Sequence, residues 1–260
     1  MRPLLNEIKQ LPPIDKNQDN HVLDTPHIFL NEVMRQAAES DIIKMTMDIR
    51  KGIKPVPRKG NDIHIIKEKD IVDGMYFWAD QIIVGTNNKR HEINNYMREA
   101  YEMGEEPADG DKIICLRNCW ETLSSEGNPL VNGTIGILRN PRTERRVYKT
   151  YQNVYPTIVL IADIEIGNEI YKDVVMDYKA LKTGKKTFTP EQEYQISKRS
   201  EYEAPIEFNY GYAITCHRAQ GSQWDKVLVV EERFPFEPTE HARWLYTACT
   251  RPESKLVLVT

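Results

Sequence analysis

"QIIVGTNNKRHEINNYMREAYEM", Gln81 to Met103, decides how the chain is read. Ile82 to Val84 and their flank have β character, and Gly85-Thr86-Asn87-Asn88 supplies a polar turn. A helical pattern follows, with Ile93, Tyr96, Met97 and Ala100 spaced to share one face. Strand, polar turn and helix make up the repeating unit of an α/β nucleotide-binding sheet.

The same texture returns near the C-terminus. "AITCHRAQGSQWDKVLVV", Ala213 to Val230, has an apolar start, a polar middle and an apolar end. A helix around "EHARWLYTACTR" and a last strand "KLVLVT" complete the pattern. Between these α/β regions, from about Asp109, lie short β-like runs: "DKIICLRN", "NGTIGILRN", "RRVYKTYQ" and "PTIVLIADIEI". Turn segments such as "SSEGNP" and "NPRTE" separate them, which predicts a small barrel or sandwich. An α/β domain is therefore expected to be interrupted by a β insertion and then completed. Upstream, "DTPHIFLNEVMRQAAESDIIKMTMDIRKG" reads as helical: Asp24 or Thr25 can cap, Pro26 suits a first turn, and Gly52 ends the run. Its apolar residues Phe29, Val33, Ala37, Ile42, Met45 and Ile49 recur at three-to-four spacing. The first twenty residues read as a loop-rich leader broken by Pro12-Pro13.

A chain of 260 residues makes one large domain or two smaller ones. No apolar run approaches the ~20 residues that span a bilayer. The N-terminus lacks the apolar core of a signal peptide, so a cytoplasmic protein without membrane contact is expected. A net charge of -4 argues against coating nucleic acid by bulk charge, but leaves a local basic groove open. Basic residues do cluster, at Leu138 to Lys149 and at Lys179 to Lys186. "CLRNC" places Cys115 and Cys119 close together, but no further zinc ligands follow at motif spacing. Free thiols and no metal site are expected, for Cys216 and Cys249 as well.

"KALKTGKKT" imitates a phosphate-binding P-loop and fails at both ends: Lys179 stands where the first Gly belongs, and Lys186 follows Gly184-Lys185. In "CHRAQGSQW", His217 and Gln220 either satisfy polar groups at a strand end, or Thr215 and His217 offer hydrogen bonds to phosphate or sugar, with Gly221 allowing close backbone approach. Arg251, between a helix and a terminal strand, is either a surface residue or a cation that stabilises a transferring phosphoryl group. Arg35 has the same two readings. Trp120 and Trp224 can stack on bases, but buried aromatic roles are expected for both.

Taken together, these pieces resemble the C-terminal part of superfamily-one DNA helicases of the RecD-like and phage Dda-like branch. "YGYAITCHRAQGSQWDKVLVV" resembles that family's motif V and "WLYTACTRPESKLVLV" its motif VI. "FLNEVMRQAAESDII" resembles motif IV, and "IKQLPPI" (Ile8 to Ile14) the tail of motif III. "DKIICLRNCWE" with "NPLVNGTIGIL" resembles the SH3-like barrel inserted in the second motor lobe. The departures are Asn6-Glu7 where motif III usually has Gly-Asp, Gln223 where Glu is frequent, and Pro252 where a small residue is common.

The resemblance implies an α/β fold: a RecA-like parallel-sheet lobe of P-loop NTPase type (23–106 and 206–260), interrupted by a small SH3-like β-barrel (107–205). Residues 1–22 are expected as a remnant of the first lobe, whose P-loop and Mg²⁺ motif do not occur in this chain. It implies ATP and Mg²⁺ as cofactors, held mainly by that first lobe. It also implies single-stranded DNA as partner, with a separate P-loop lobe or a replication or repair protein as a further one, and 5′ to 3′ movement. Gln10 is implied to sense the γ-phosphate, with Gly221 and Gln223 beside the nucleotide. Arg35 and Arg251 are implied as the charge-stabilising pair. Thr215 and His217 are implied to face the DNA strand, with Thr86, Asn87 and Arg90 as further DNA-side candidates. The chain alone is not expected to hydrolyse ATP. The competing reading is a DNA- or protein-binding module derived from a helicase.

Overall fold

Two apolar cores on opposite faces of one parallel sheet organise the protein. The computed structural model describes residues 40–260. The chain runs through α1 (Asp41–Arg50), β1 (Arg58–Lys59), β2 (Ile63–Ile66), α2 (Asp73–Trp78), β3 (Gln81–Val84) and α3 (Asn87–Ala100). It continues through β4 (Lys112–Cys115), β5 (Cys119–Leu123), β6 (Pro129–Leu130), β7 (Ile135–Lys149), β8 (Val154–Ile166) and β9 (Glu169–Met176). Then come α4 (Tyr178–Thr183), α5 (Pro190–Arg199), β10 (Phe208–Tyr210), β11 (Ala213–Thr215), α6 (Cys216–Ala219), β12 (Trp224–Val230), α7 (Pro238–Cys249) and β13 (Pro252–Val259).

The first sheet has the order β1-β2-β13-β12-β3-β11, parallel throughout except for β1. Strands buried on both faces read as continuous apolar runs, as in β3 and the second half of β12. Alternation sorts their side chains. Ile82, Val84, Leu228 and Val230 face one core with Ile93 and Met97 of α3. Ile83, Val227, Val229 and Leu258 face the other, with Ile42, Met45 and Ile49 of α1 and Trp244, Leu245 and Ala248 of α7. Burying each Ile or Val is worth roughly 1.5–3 kcal/mol, so β3, with all four residues buried, anchors both layers.

The second sheet is antiparallel, in the order β10-β4-β7-β8-β9. Its two edges meet where the Ile206 N–H donates to the Val175 carbonyl (2.8 Å) and the Asp177 N–H donates to the Ile206 carbonyl (2.8 Å), so the sheet curls onto itself. Phe208–Tyr210, which the sequence reading places with the parallel lobe, pairs with β4 in this second sheet. The chain then crosses back at Gly211 into β11.

Several local expectations change. Of the helical pattern from Asp24 to Gly52, the part before Ser40 lies outside the described residues; Ser40 itself caps α1 by accepting the Ile42 and Ile43 N–H groups. Asp62 holds this cap, accepting the Asp41 N–H at 3.1 Å. On α3 the buried positions are Arg90, Ile93, Asn94, Met97 and Arg98, while Ala100 is exposed. Polar residues enter that face because each has work there: Asn94 exchanges two hydrogen bonds with the Ala213 backbone (3.0 and 2.9 Å), pairing the open edge of β11 as a neighbouring strand would. The P-loop imitation closes α4, with Gly184 as its left-handed C-cap. The basic run at Leu138 to Lys149 lies on β7 and is largely neutralised: Arg139 pairs with Glu165 and Asp109, Arg142 with Asp173, and Arg146 with Glu144. Trp120 is 66% exposed rather than buried, because β5 pairs only with the two-residue β6. Trp224 is half-buried against the α1–α7 core.

The two sheets are joined by a buried ion pair. Arg98 on α3 donates from Nε and Nη2 to the two oxygens of Asp111 (2.9 and 3.2 Å) and lies over the Tyr210 ring. The Tyr212 hydroxyl and the Ala108 N–H complete the coordination of Asp111. Removing one partner of a buried pair leaves an uncompensated charge and costs about 3–5 kcal/mol. Asp111→Asn is expected to lower the unfolding free energy by about 3 kcal/mol in urea titration followed by tryptophan fluorescence. A loss below about 1 kcal/mol would show the pair to be dispensable.

Candidate functional site

A cleft of about 850 Å³ opens at the C-terminal ends of β3 and β11. In parallel α/β sheets this edge is where loops converge and ligands bind. The β3–α3 turn contributes Gly85, Thr86 and Asn87, and the segment after β11 contributes Thr215, His217, Arg218, Gln220 and Ser222. Val131 to Thr134, on the turn that leads from β6 into β7 of the second sheet, form the opposite wall, and Phe234 closes one side.

Thr86 is the N-cap of α3, accepting the Lys89 N–H (3.2 Å). It is also bound to Glu232, whose carboxylate accepts the Gly85 N–H (2.7 Å), the Thr86 N–H (2.8 Å) and the Thr86 hydroxyl (2.6 Å). The positive end of α3 is therefore occupied by an internal carboxylate. Thr215 precedes the four-residue α6 without capping it. His217 is exposed at the cleft and Arg218 is half-buried.

Arg90 does not line the cleft; it is buried on α3. Its Nη2 contacts His91 Nε2 (3.0 Å), and the Asn209 amide, with its oxygen turned toward it, accepts from Nη1 (2.7 Å). No carboxylate pairs with it among the described residues. Burial, with the nearby Arg218 charge adding to it, lowers the Arg90 pKa to about 10. Burial also lowers the pKa of Arg218, against the opposing pull of Glu207. Both remain cations at neutral pH, so two guanidinium charges sit behind and within the cleft wall.

Gly221 and Gln223 flank the lining residue Ser222. Gly221 has φ +90°, a conformation that side chains disfavour, and makes the tight turn between α6 and β12. Arg251 lies behind this turn. It donates from Nη1 to the Ser222 carbonyl (3.3 Å), from Nε to the Thr247 carbonyl (3.0 Å) and from Nη2 to Thr250 Oγ1 (2.9 Å). Of the predicted site residues, the structure thus brings Thr86, Asn87, Thr215 and His217 to one cleft and sets Gly221, Gln223 and Arg251 at its back. Gln10 and Arg35 lie outside the described residues, as do the motif III tail and most of the motif IV segment.

Sequence reasoning missed Arg218, Asn132 to Thr134, Phe234 and Glu232. Arg218 stood in the quoted motif and was given no role. The cleft wall lay in the β-like run "NGTIGILRN" and carried no sign of a site, because its partner is remote in sequence. Among the described residues no group of three or more His, Cys, Asp or Glu side chains could hold a metal ion. The Mg²⁺ implied by the resemblance therefore finds no ligand set in them. No helix among them is long and apolar enough to cross a membrane.

The family model of the UvrD-like helicase C-terminal domain matches residues 210–259. No curated protein sequence matches the chain at a significant level. Among solved structures, the Pif1 helicase from Candida albicans is similar over 88% of this chain and 55% of its own, at 14% identity and a TM-score of 0.47. A Bacteroides Pif1 helicase in complex with ADP-AlF3 and ssDNA is similar over 96% of this chain and 60% of its own, at 15% identity and a TM-score of 0.40. The chain thus spans little more than half the length of these structures. Over residues 210–259, which hold the motif V and motif VI segments, the chain is similar to the C-terminal domain of UvrD-like helicases.

Proposed function

We propose that the chain is the second motor lobe of an ATP-dependent DNA helicase: a RecA-like lobe carrying an SH3-like insertion, with its cleft following single-stranded DNA. The observation that carries this reading is the segment Thr215–Gln223. It lies within the residues matched to the helicase C-terminal domain. One end of it presents Thr215, His217 and Arg218 to the cleft, and the other binds Arg251 through Ser222.

Binding that tracks a strand without reading its sequence uses cations and polar groups on the backbone and aromatic faces for bases. The cleft offers Arg218, His217, Thr215 and Asn87 for the first and Phe234 for the second. Arg251 is the cation for the nucleotide side. Phosphoryl transfer depends on charge stabilisation, so an arginine from the opposite lobe makes hydrolysis depend on lobe closure. When bound, ATP supplies the phosphoryl group; this chain's part is to turn Arg251 toward it, with Gly221 and Gln223 bordering the site. No Gly-x₄-Gly-Lys-Ser/Thr motif occurs in the 260 residues, so turnover requires a P-loop lobe from outside them. Movement from 5′ to 3′ is part of the same proposal.

A second reading, a binding module without hydrolysis, is favoured by one observation: all three guanidinium nitrogens of Arg251 are hydrogen-bonded within the chain. Two experiments separate the readings. In the first, fluorescence anisotropy of a labelled oligothymidine follows binding. Arg218→Ala and His217→Ala are each expected to weaken Kd about tenfold, or ~1.4 kcal/mol. Arg218→Ala should also reduce the slope of log K against log salt by about 0.7. Unchanged affinity in both variants would remove the cleft from the DNA path. In the second, the chain alone is expected to show no DNA-stimulated ATP turnover, and to support it when combined with a P-loop lobe. Arg251→Ala should then lower kcat by about 10³-fold while DNA affinity stays within about twofold. An Arg251→Ala protein with full turnover would favour the module.

A further inference from the structure

The cleft wall at Asn132–Thr134 hangs on a segment that carries two cysteines. The Cys115 N–H donates to the Thr134 carbonyl (2.9 Å), and the Gly133 N–H donates to the Cys115 carbonyl (2.9 Å). The Asn132 N–H donates to Asn118 Oδ1 (2.8 Å). Residues 115–118 therefore grip three consecutive wall residues by their backbone.

Cys115 ends β4 and Cys119 begins β5, so the chain turns between them. Both sulfurs turn toward one acceptor, the Arg117 carbonyl, at 3.1 Å from Cys115 and 3.9 Å from Cys119. Cys115 is fully buried and Cys119 is half-buried. The Arg117 guanidinium is held in turn by the Ala204 carbonyl (2.9 Å) and by Glu193 (3.3 Å).

We propose that Cys115 and Cys119 form a redox-active dithiol that a small-molecule disulfide oxidises to an intrachain disulfide, and that this crosslink tightens the hold on the cleft wall. The electrostatics divide the work between the two sulfurs. Interaction with the neighbouring Cys115 thiol, with the Arg117 charge, lowers the Cys119 pKa to about 7 against its burial. The same interaction, together with burial, raises that of Cys115. Cys119 is thus the thiolate within reach of solvent and Cys115 the resolving thiol.

The steps balance. The Cys119 thiolate attacks one sulfur of oxidised glutathione; a mixed disulfide forms and one glutathione thiolate leaves. The negative neighbour of Cys115 is then gone, and Cys115 gives up its proton. Its thiolate attacks the Cys119 sulfur, the second glutathione leaves, and the disulfide closes. Two protein thiols are oxidised by two electrons, one glutathione disulfide is reduced, and the protons pass to glutathione. Cys216 and Cys249 are buried, with raised pKa values, so they serve as inert internal references.

Trypsin provides a clean readout, because cleavage after Arg117 places Cys115 and Cys119 on separate peptides. The native chain treated with oxidised glutathione is expected to yield these two peptides joined, with Cys216 and Cys249 still alkylatable. Cys119→Ser should leave Cys115 reduced. Cys115→Ser should stop at one bound glutathione on Cys119. Amide hydrogen exchange at residues 131–134 is expected to slow at least about fivefold on oxidation and to recover with reductant, with no change in Cys119→Ser. Four alkylatable thiols after treatment, or disulfides only between chains, would overturn the dithiol. Unchanged exchange in a chain that has formed the 115–119 link would overturn the hold on the wall. Neither readout uses DNA, so these results stand apart from the success or failure of the helicase reading.

Discussion

The Glu232 carboxylate fixes the geometry on which the cleft depends. It ties the end of β12 to the β3–α3 turn through three hydrogen bonds, two of them from the first N–H groups of the turn. A helix N-terminus offers unsatisfied N–H groups and partial positive charge, which in many α/β proteins receive a phosphate. Here the chain fills that position itself. The turn that looks most like a nucleotide site in the sequence is therefore a joint between two strands, and it sets the loop bearing Phe234 against the loop bearing Thr86 and Asn87. Any anion in the cleft has to be met by other groups, and Arg218, His217, Thr215 and Asn87 line it.

Two buried arginines on α3 show opposite solutions to one cost. Taking a guanidinium out of water is expensive unless it is paired. Arg98 is paired: Asp111, the Glu106 carbonyl and the Tyr210 ring surround it. It acts as a rivet between the sheets. Arg90, two helical turns earlier and on the same side, has only neutral partners among the described residues, His91 and Asn209. Its charge is not cancelled locally. Because Glu207 is already paired with Lys186, the field of Arg90 and Arg218 together extends toward the cleft.

Much of the scaffold could be read from the sequence because it rests on short-range rules. The β3–turn–α3 unit, the apolar β12 and β13 and the turn-separated strands of the second sheet all follow from periodicity. What escaped were pairings between distant residues. Ser40 looks like one more residue in a helical run until Asp62, 22 residues on, is seen holding it as a cap. Arg90 reads as a solvent-facing residue of a polar turn-helix; only the placement of Asn209 shows it to be buried. Arg142 and its neighbours look like a basic patch until β9 delivers Asp173. The cleft was half legible. The walls built from Thr86, Asn87, Thr215 and His217 come from motif-bearing segments, whereas Asn132–Thr134 arrive through the topology of the second sheet.

The turn at Gly221 gains its meaning from what stands on either side of it. Upstream, α6 is a single helical turn whose Cys216 and Ala219 are buried against α7, with the Cys216 thiol donating to the Trp244 carbonyl. Downstream, the Trp224 N–H donates to the Arg251 carbonyl (3.2 Å) and Ser222 receives the Arg251 guanidinium. His217 and Arg218 at the cleft are thus joined to Arg251 by a short, packed path with little slack. A displacement of α6 against α7 changes the Ser222–Arg251 distance, because Arg251 follows the last turn of α7 and Ser222 follows the last turn of α6. At 3.3 Å this bond is longer than those to the Thr247 carbonyl and Thr250 Oγ1, and it is the one that ties Arg251 to the polar segment. Under the proposed function, a strand pressing on His217 and Arg218 would act on Arg251 through this bond.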